Sequence, residues 1–397
     1  MPARIASPGK RQGGTMPTGR AAAAHLCCLC LLLGAPTGAW AAGALLEEAV
    51  GLAGLALFME SGATGMVLAV IDGDDDVVVG HGETARGSGR EPDGKSLVRL
   101  GSISKAFAGE LVGGLAAEGR VRLTTPLQAH APQGARLPER DGRPITLLDL
   151  ATHAAALPRE LPVEGPAGAA PFAWPTAADR FAWLAGYELP WAPGSVAAYS
   201  NLGFDLLGAA LATATGEPYA ELLRQRITEP LGMADTTLAP TAEQCARLMA
   251  GYGIPGAEAA PCVGTATIAA SGGVYSTADD MVRWLRHNLA PADAGARATL
   301  ALTHAPYLQR QALKAAIGFD EAGPMQGIGL GWVTMAPEGP RPLLVQKTGG
   351  LAGFMSYVAF APGTGVGVFV AVNRVDFGMF GSLAENVNEL IAGLAPR

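Results

Sequence analysis

The stretch "LVRLGSISKAFAGELVGGLAAEG", residues 97–119, sets Lys105 three positions after Ser102 in a chain of five lysines. Ile103, Phe107, Leu111 and Leu115 recur at helical spacing, and Gly119 stands where a helix stop is expected. The same spacing brings Ser102 and Lys105 to one face of the first turn. A serine hydroxyl is a weak nucleophile until a base takes its proton, and a lysine serves once burial or a second cation lowers its pKa. Backbone N–H groups at a helix start can also stabilise the oxyanion of an acyl-transfer intermediate. Alone, the pair reads equally well as the polar start of an ordinary helix. Ser7-Pro8-Gly9-Lys10 repeats the spacing by chance.

Two further motifs supply what a Ser/Lys pair needs. In "GSVAAYSNLGFDLLG", Tyr199-Ser200-Asn201 precedes a strong helical pattern. A phenolate near two ammonium groups is a proton relay, and an asparagine amide can hold a substrate amide while contacting the lysine. A tyrosine packed at a helix start with Ser or Asn as cap is the plain alternative. Lys347-Thr348-Gly349-Gly350 closes an expected strand. There a cation and a hydroxyl can bind a carboxylate, and glycines let an edge strand approach an extended peptide.

The pattern around these motifs is two-lobed. "ALLEEAVGLAGLALFMES" predicts a helix and "GMVLAVIDGDDDVVVGHGE" two strands with an acidic turn. Residues 120–290 are poor in strands, with helical patterns in "TLLDLATHAAAL", "SNLGFDLLGAALATATG", "PYAELLRQRITEPLG" and "ADDMVRWLRHNL". From about 328 the period returns toward two in "IGLGWVTMA", "LLVQKTGG", "GFMSYVAFAP" and "GVGVFVAVNR", before a last helix near 381–394. The expectation is an α/β (α+β) fold: an antiparallel sheet from both chain ends, flanked by helices, with an inserted helical lobe and a site in the cleft between. As ranges, the sheet lobe takes about 42–120 and 290–397 and the helical lobe about 121–289, together one catalytic domain over 42–397.

Residues 1–41 differ from the rest. Arg4, Lys10, Arg11 and Arg20 stand without an acid before "AAAAHLCCLCLLL" and Ala39-Trp40-Ala41, the charge, apolar core and small-residue pattern of a secretory signal peptide. Translation from Met16 would give a more usual signal length. Cys27, Cys28 and Cys30 read as apolar filler of that segment. Removing its four cations from 28 leaves 24 against 35 acids, a formal charge near −11. That balance excludes nucleic acid and anionic membrane as bulk partners. The mature chain keeps Cys245 and Cys262, which in an oxidising compartment either close a loop worth roughly 3 kcal/mol or stay as thiols. They lack the nearby histidines of a metal site. No transmembrane anchor is expected after cleavage, while peripheral contact of the first mature helix with a bilayer stays open, as does the oligomeric state.

Ser102/Lys105, Tyr199/Asn201 and Lys347/Thr348/Gly349, in that order, resemble the serine β-lactamase and penicillin-binding-protein pattern, on its class C branch. The resemblance covers nearly the whole mature chain. It is nearest to the AmpH-type D-alanyl-D-alanine carboxypeptidase/endopeptidases in "SGATGMVLAVIDG", "LATHAAALPRELP", "AAYSNLGFDLLG", "EQCARLM", "SGGVYSTADDM", "GLGWVTMAP" and "VQKTGG". It implies a β-lactamase/transpeptidase-like fold with Ser102 as the acylated nucleophile, Lys105 as its proton acceptor and Tyr199 as a general base in phenolate form. Asn201 would hold a substrate amide and Lys347 and Thr348 the carboxylate, beside Gly349. The N–H groups of Ser102 and Gly350 would form the oxyanion hole. The Cys245/Cys262 pair recurs in that pattern and favours the disulfide. No metal or organic cofactor is implied.

The activity so implied is periplasmic cleavage of D-Ala-D-Ala and D-Ala-diaminopimelate bonds in peptidoglycan stem peptides, with β-lactams trapped as acyl-enzymes. The alternatives are a class C-type β-lactamase, a serine esterase, or a non-catalytic protein that captures muropeptides or β-lactams. Motifs do not separate a peptidase from a β-lactamase, because the difference lies in how a water meets the acyl-enzyme. His153 in "ATHAAAL", Ser104, and Trp332 with the "GLGW" glycines read as structural residues.

Overall fold

A computed structural model describes residues 38–253 and 260–395. The signal-peptide reading of residues 1–41 lies outside them except for 38–41, which begin the first helix. In chain order the helices that matter are α1 (Gly38–Ser61), α2 (Ser104–Ala117), α3 (Leu147–Ala151), α4 (Ala177–Ala185), α5 (Asn201–Thr215), α6 (Ala278–Leu289), α7 (Ala294–His304) and α8 (Phe377–Leu394). The main sheet holds β1 (Gly65–Asp72), β2 (Asp75–Gly82), β3 (Leu308–Gln309), β4 (Gly327–Ile328), β5 (Val333–Met335), β6 (Leu344–Leu351), β7 (Phe354–Ala361) and β8 (Val366–Val372).

The sheet is antiparallel, in the order β2-β1-β8-β7-β6-β5-β4-β3. Its central strands are apolar on both faces because both faces are covered. Along β1, Val67, Ala69 and Ile71 join one core, and Met66, Leu68 and Val70 join a second on the opposite face. α1 and α8 close the second core through Leu46, Val50, Leu57, Phe380, Leu383, Val387 and Ile391. α2, α5 and α6 close the first. The chain's first strand therefore pairs with its last, Met66 opposite Val372 and Asp72 opposite Val366. This is the expected antiparallel sheet with flanking helices and a helical region between its two sequence halves.

Several local expectations shift. α6 packs on the sheet against β1 and β8, although its sequence groups it with the helical insert. The "TLLDLATHAAAL" helix stops at Ala151, and His153 and Ala156 adopt φ of +58° and +59°. A capping box starts it, with the Thr146 and Asp149 side chains each accepting from the other's backbone N–H. "IGLGWVTMA" is two short strands, β4 and β5, rather than one. α8 starts at Phe377, earlier than its apolar run suggests, because the Asp376 carboxylate accepts from Gly378 and Met379 N–H. On α1, Leu45, Leu52, Leu55 and Met59 stay exposed, yet no helix among the described residues is long and apolar enough to cross a membrane.

The turn that carries Ser102 is pinned to the sheet by missing side chains. Gly101 has φ +52°, and a Cβ there would lie 2.5 Å from Gly350 N. A Cβ on Gly349 would lie 2.1 Å from Leu100 O and 2.3 Å from Ser356 Oγ. The Ser356 hydroxyl already donates to Leu100 O at 2.8 Å. Residues 100–103 can therefore rest directly on β6 and β7.

Candidate active site

Ser102 lies in a 3-10 turn, Gly101–Ile103, that leads into α2. Its N–H is thus in a first turn, without an acceptor inside the helix. Ser104 is fully buried: its hydroxyl donates to Gly101 O at 2.7 Å and accepts from Val274 N at 3.0 Å. It is structural, as its place in the sequence suggests. Lys105, one helical turn after Ser102, is fully buried and sends Nζ back to the serine, 3.1 Å from Oγ. The same nitrogen lies 2.6 Å from Asn201 Oδ1 and 2.5 Å from Ser271 O.

Burial pushes the Lys105 amine well below the usual lysine range, and Lys347 pushes it further, against Asp205 and Glu160. Nζ thus donates to Asn201 Oδ1 and Ser271 O, and its third short contact is with Ser102 Oγ. Ser271 is held in turn: its N–H donates to Asp205 Oδ1 at 3.2 Å, and Asp205 is paired with Arg180 at 2.8 Å, both buried. Burial raises the Asp205 carboxyl to about 6 in spite of Arg180. α4 and α5 thus fix the carbonyl that Lys105 Nζ bonds.

Tyr199-Ser200-Asn201 divides its labour. Ser200 is the N-cap of α5, accepting from Gly203 N at 2.9 Å and donating to Pro158 O at 2.6 Å. That cap sets Tyr199 just before the helix and Asn201 at its first residue. Lys105 Nζ and Lys347 Nζ stand 4.9 and 5.1 Å from the Tyr199 ring centre, and the Arg159 guanidinium carbon stands at 4.8 Å. His153 stacks on the same ring at 4.3 Å. Its Nδ1 accepts from Ser200 N at 2.9 Å, and burial among Lys105, Lys347 and Arg159 drives its pKa well down. It is a neutral, structural imidazole that holds the phenol in place.

Burial works against the phenolate expected from the sequence. Burial pushes the Tyr199 hydroxyl well above its ordinary range, and the Ser102 hydrogen bond and Arg159 oppose it without reversing it.

Lys347 and Thr348 occupy β6 where that strand changes character. β5 pairs only with Leu344–Gln346, so from Lys347 onward β6 is bonded on one side alone, to β7, among the described residues. The edge strand expected from the sequence is thus half of an interior one. Lys347 Nζ donates to Thr348 O at 2.8 Å, and burial lowers its pKa to about 8. The Thr348 hydroxyl donates to Glu321 Oε2 at 2.8 Å. Gly349 faces the nucleophile turn, so its missing side chain serves packing against Leu100 rather than an approaching peptide. Gly350 N lies beside Gly101, next to Ser102.

The motif residues thus converge from three chain segments. Sequence reasoning missed Ser271, the Arg180–Asp205 pair, Arg159, Glu160 and Glu321. The Asn201 amide donates to Glu160 Oε1. A cavity of about 260 Å³, lined by Arg159, Tyr187, Trp191, Ile317 and Gly318, adjoins Tyr199. Among the described residues, no cluster of His, Cys, Asp or Glu could hold a metal ion. Cys245 and Cys262 form a disulfide.

Against known proteins, the β-lactamase family model matches residues 45–391. The chain belongs to the β-lactamase family. Within that family it is 44% identical to the D-alanyl-D-alanine-carboxypeptidase/endopeptidase AmpH of Escherichia coli K12 over 340 residues, which are 85% of this chain and 87% of that one. A β-lactamase of Pseudomonas fluorescens is 25% identical, over 80% of this chain and 90% of its own. Among solved structures, the β-lactamase/D-alanine carboxypeptidase of Yersinia pestis, complexed with citrate, superposes with a TM-score of 0.82 at 44% identity, covering 88% of this chain and 99% of that one. A class C β-lactamase from Rhodobacter sphaeroides shares the β-lactamase fold at 23% identity, with a TM-score of 0.69 over 86% of this chain and 99% of its own.

Proposed function

We propose that this β-lactamase-family protein is an AmpH-type serine peptidase that removes D-alanine from stem peptides and opens D-Ala-diaminopimelate cross-links of peptidoglycan. The observation that carries the mechanism is the setting of Lys105: a buried amine with its pKa depressed, held by Asn201 Oδ1 and Ser271 O and 3.1 Å from Ser102 Oγ, whose proton it takes once neutral. Ser102 gives its proton to Lys105 as Oγ attacks the carbonyl carbon. The Ser102 and Gly350 N–H groups receive the oxyanion. Lys347 and Thr348 hold the carboxylate beside the scissile bond, and Asn201 holds the amide on the acyl side. Tyr199, a phenol at rest, gives its proton to the leaving amine; Lys105 then returns a proton to the phenolate. In the second half Tyr199 passes its proton to Lys105 and, as phenolate, takes one from the hydrolytic water as it attacks; Lys105 gives its proton to Ser102 Oγ as the acyl bond breaks.

The identity to E. coli AmpH supports the peptide substrate over an antibiotic one. The cavity beside Tyr199 supports a substrate longer than a dipeptide. β-Lactams would acylate Ser102 by the same steps. We take the periplasm as the compartment, supported by the signal-like residues 1–41 and the Cys245–Cys262 disulfide, and 42–397 as one catalytic domain. Mass spectrometry of the protein incubated with a disaccharide pentapeptide, a dimeric muropeptide and benzylpenicillin tests the reading. The parent should release D-alanine, split the dimer and carry a penicilloyl adduct; Ser102→Ala should do none of these. D-alanine release by Ser102→Ala would refute it.

A further inference from the structure

Glu321 has no place in the mechanism, yet its carboxylate sits on the group proposed to receive the substrate's carboxylate. The Thr348 hydroxyl donates to Glu321 Oε2 at 2.8 Å. The backbone that carries Glu321 is anchored on both sides. Arg310 pairs with Asp320 at 2.5 Å, and the Asp320 carboxylate also accepts from Met325 N at 2.9 Å. Gly318, three residues before Glu321, lies against the Tyr199 side chain. Glu321 is also the acid that most opposes the lowering of the Lys347 pKa, so its charge is felt at both members of the Lys347/Thr348 pair. A hydroxyl proton directed at one carboxylate is not free for another, and two carboxylates beside one buried ammonium repel.

We propose that Glu321 is a specificity-determining residue: in the empty site its carboxylate stands in for that of the substrate, so peptides with a free carboxylate bind only by displacing it. Neutral-ended peptides do not incur this penalty. The inference rests on the proposed role of Lys347 and Thr348 as the carboxylate site. It sets the affinity of that site below what a buried lysine and a threonine hydroxyl alone would provide.

The test separates binding from turnover. In the Ser102→Ala background, calorimetry measures binding of an acetylated tripeptide ending in D-Ala-D-Ala, as the free acid and as its C-terminal amide. Glu321→Gln keeps an oxygen acceptor for Thr348 and removes the charge; Glu321→Ala removes both. The expected result is that Glu321→Gln tightens the acid about tenfold, a 1.4 kcal/mol change, and leaves the amide within about twofold. With Ser102 intact, the same change should appear in KM for the acid rather than in kcat. An unchanged acid affinity in Glu321→Gln overturns the proposal, as does an equal change for acid and amide. Weaker acid binding in Glu321→Ala alone also overturns it, since that pattern marks a residue that merely orients Thr348. If Thr348→Val leaves acid binding intact, the carboxylate site is misplaced and the inference falls with it. If the parent resists acylation by benzylpenicillin while Glu321→Gln still separates acid from amide, the catalytic reading fails and the role of Glu321 stands.

Discussion

Lys347 shows how the site trades stability for charge. Burial lowers its pKa from 10.5 to about 8, so the folded chain binds this proton less firmly than the unfolded one. Between about pH 8 and 10.5 the unfolded state carries the extra proton, and stability rises with pH across that window. Below pH 8 the cost is present in full, on the order of 3 kcal/mol. Lys347→Met should therefore raise the thermal midpoint at pH 7 by a few degrees while weakening binding of acid-terminated peptides. Scanning calorimetry checks the first half; a lowered midpoint would mean that the bond from Nζ to Thr348 O outweighs the buried charge. In the parent, KM for such peptides should climb as pH passes about 8 and Lys347 loses its proton, with little change for their amides. Tyr199 follows the same logic with opposite sign: burial disfavours its anion and pushes its pKa up.

Strand β6 does two jobs along eight residues. Its first three pair with β5, and the rest leave one edge open beside Ser102. Gly349→Ala would drive a methyl group into Leu100 O and Ser356 Oγ. A loss of about 1–3 kcal/mol is expected, together with slow acylation because the nucleophile turn must move. Urea denaturation and the rate of penicillin labelling measure the two effects, and an unperturbed labelling rate would mean that the turn does not depend on this contact. At the helix starts, Ser200→Ala should cost about 1 kcal/mol by uncapping α5. The long apolar strands and the three motifs were legible in the sequence because each depends on local spacing. Glu321, Ser271 and the Arg180–Asp205 pair were not, since what they do depends on which distant segment they meet. The one-strand reading of "IGLGWVTMA" failed for a related reason: Gly329–Trp332 turn back within one apolar run, and period alone does not show a turn there.

Across the whole molecule, the disulfide and the sheet tie together what the sequence separates. Cys245 and Cys262 stand 17 residues apart, so reduction should lower stability by about 3 kcal/mol without touching the reacting groups. Denaturation with and without a reductant, followed by activity below the transition, tests that division. A reduced enzyme that is folded but inactive would place the bond closer to function than its position suggests. The pairing of β1 with β8 has a further consequence. A chain delivered from its N-terminus as far as residue 340 already holds the serine, its lysine and the tyrosine. It lacks the surface on which residues 100–103 rest, the second lysine that helps strip Lys105 of its proton, and the strand that closes the sheet onto β1. An unfinished chain therefore carries the reagents of a wall-cutting enzyme without its reactivity. The blade is assembled last, when synthesis is nearly over.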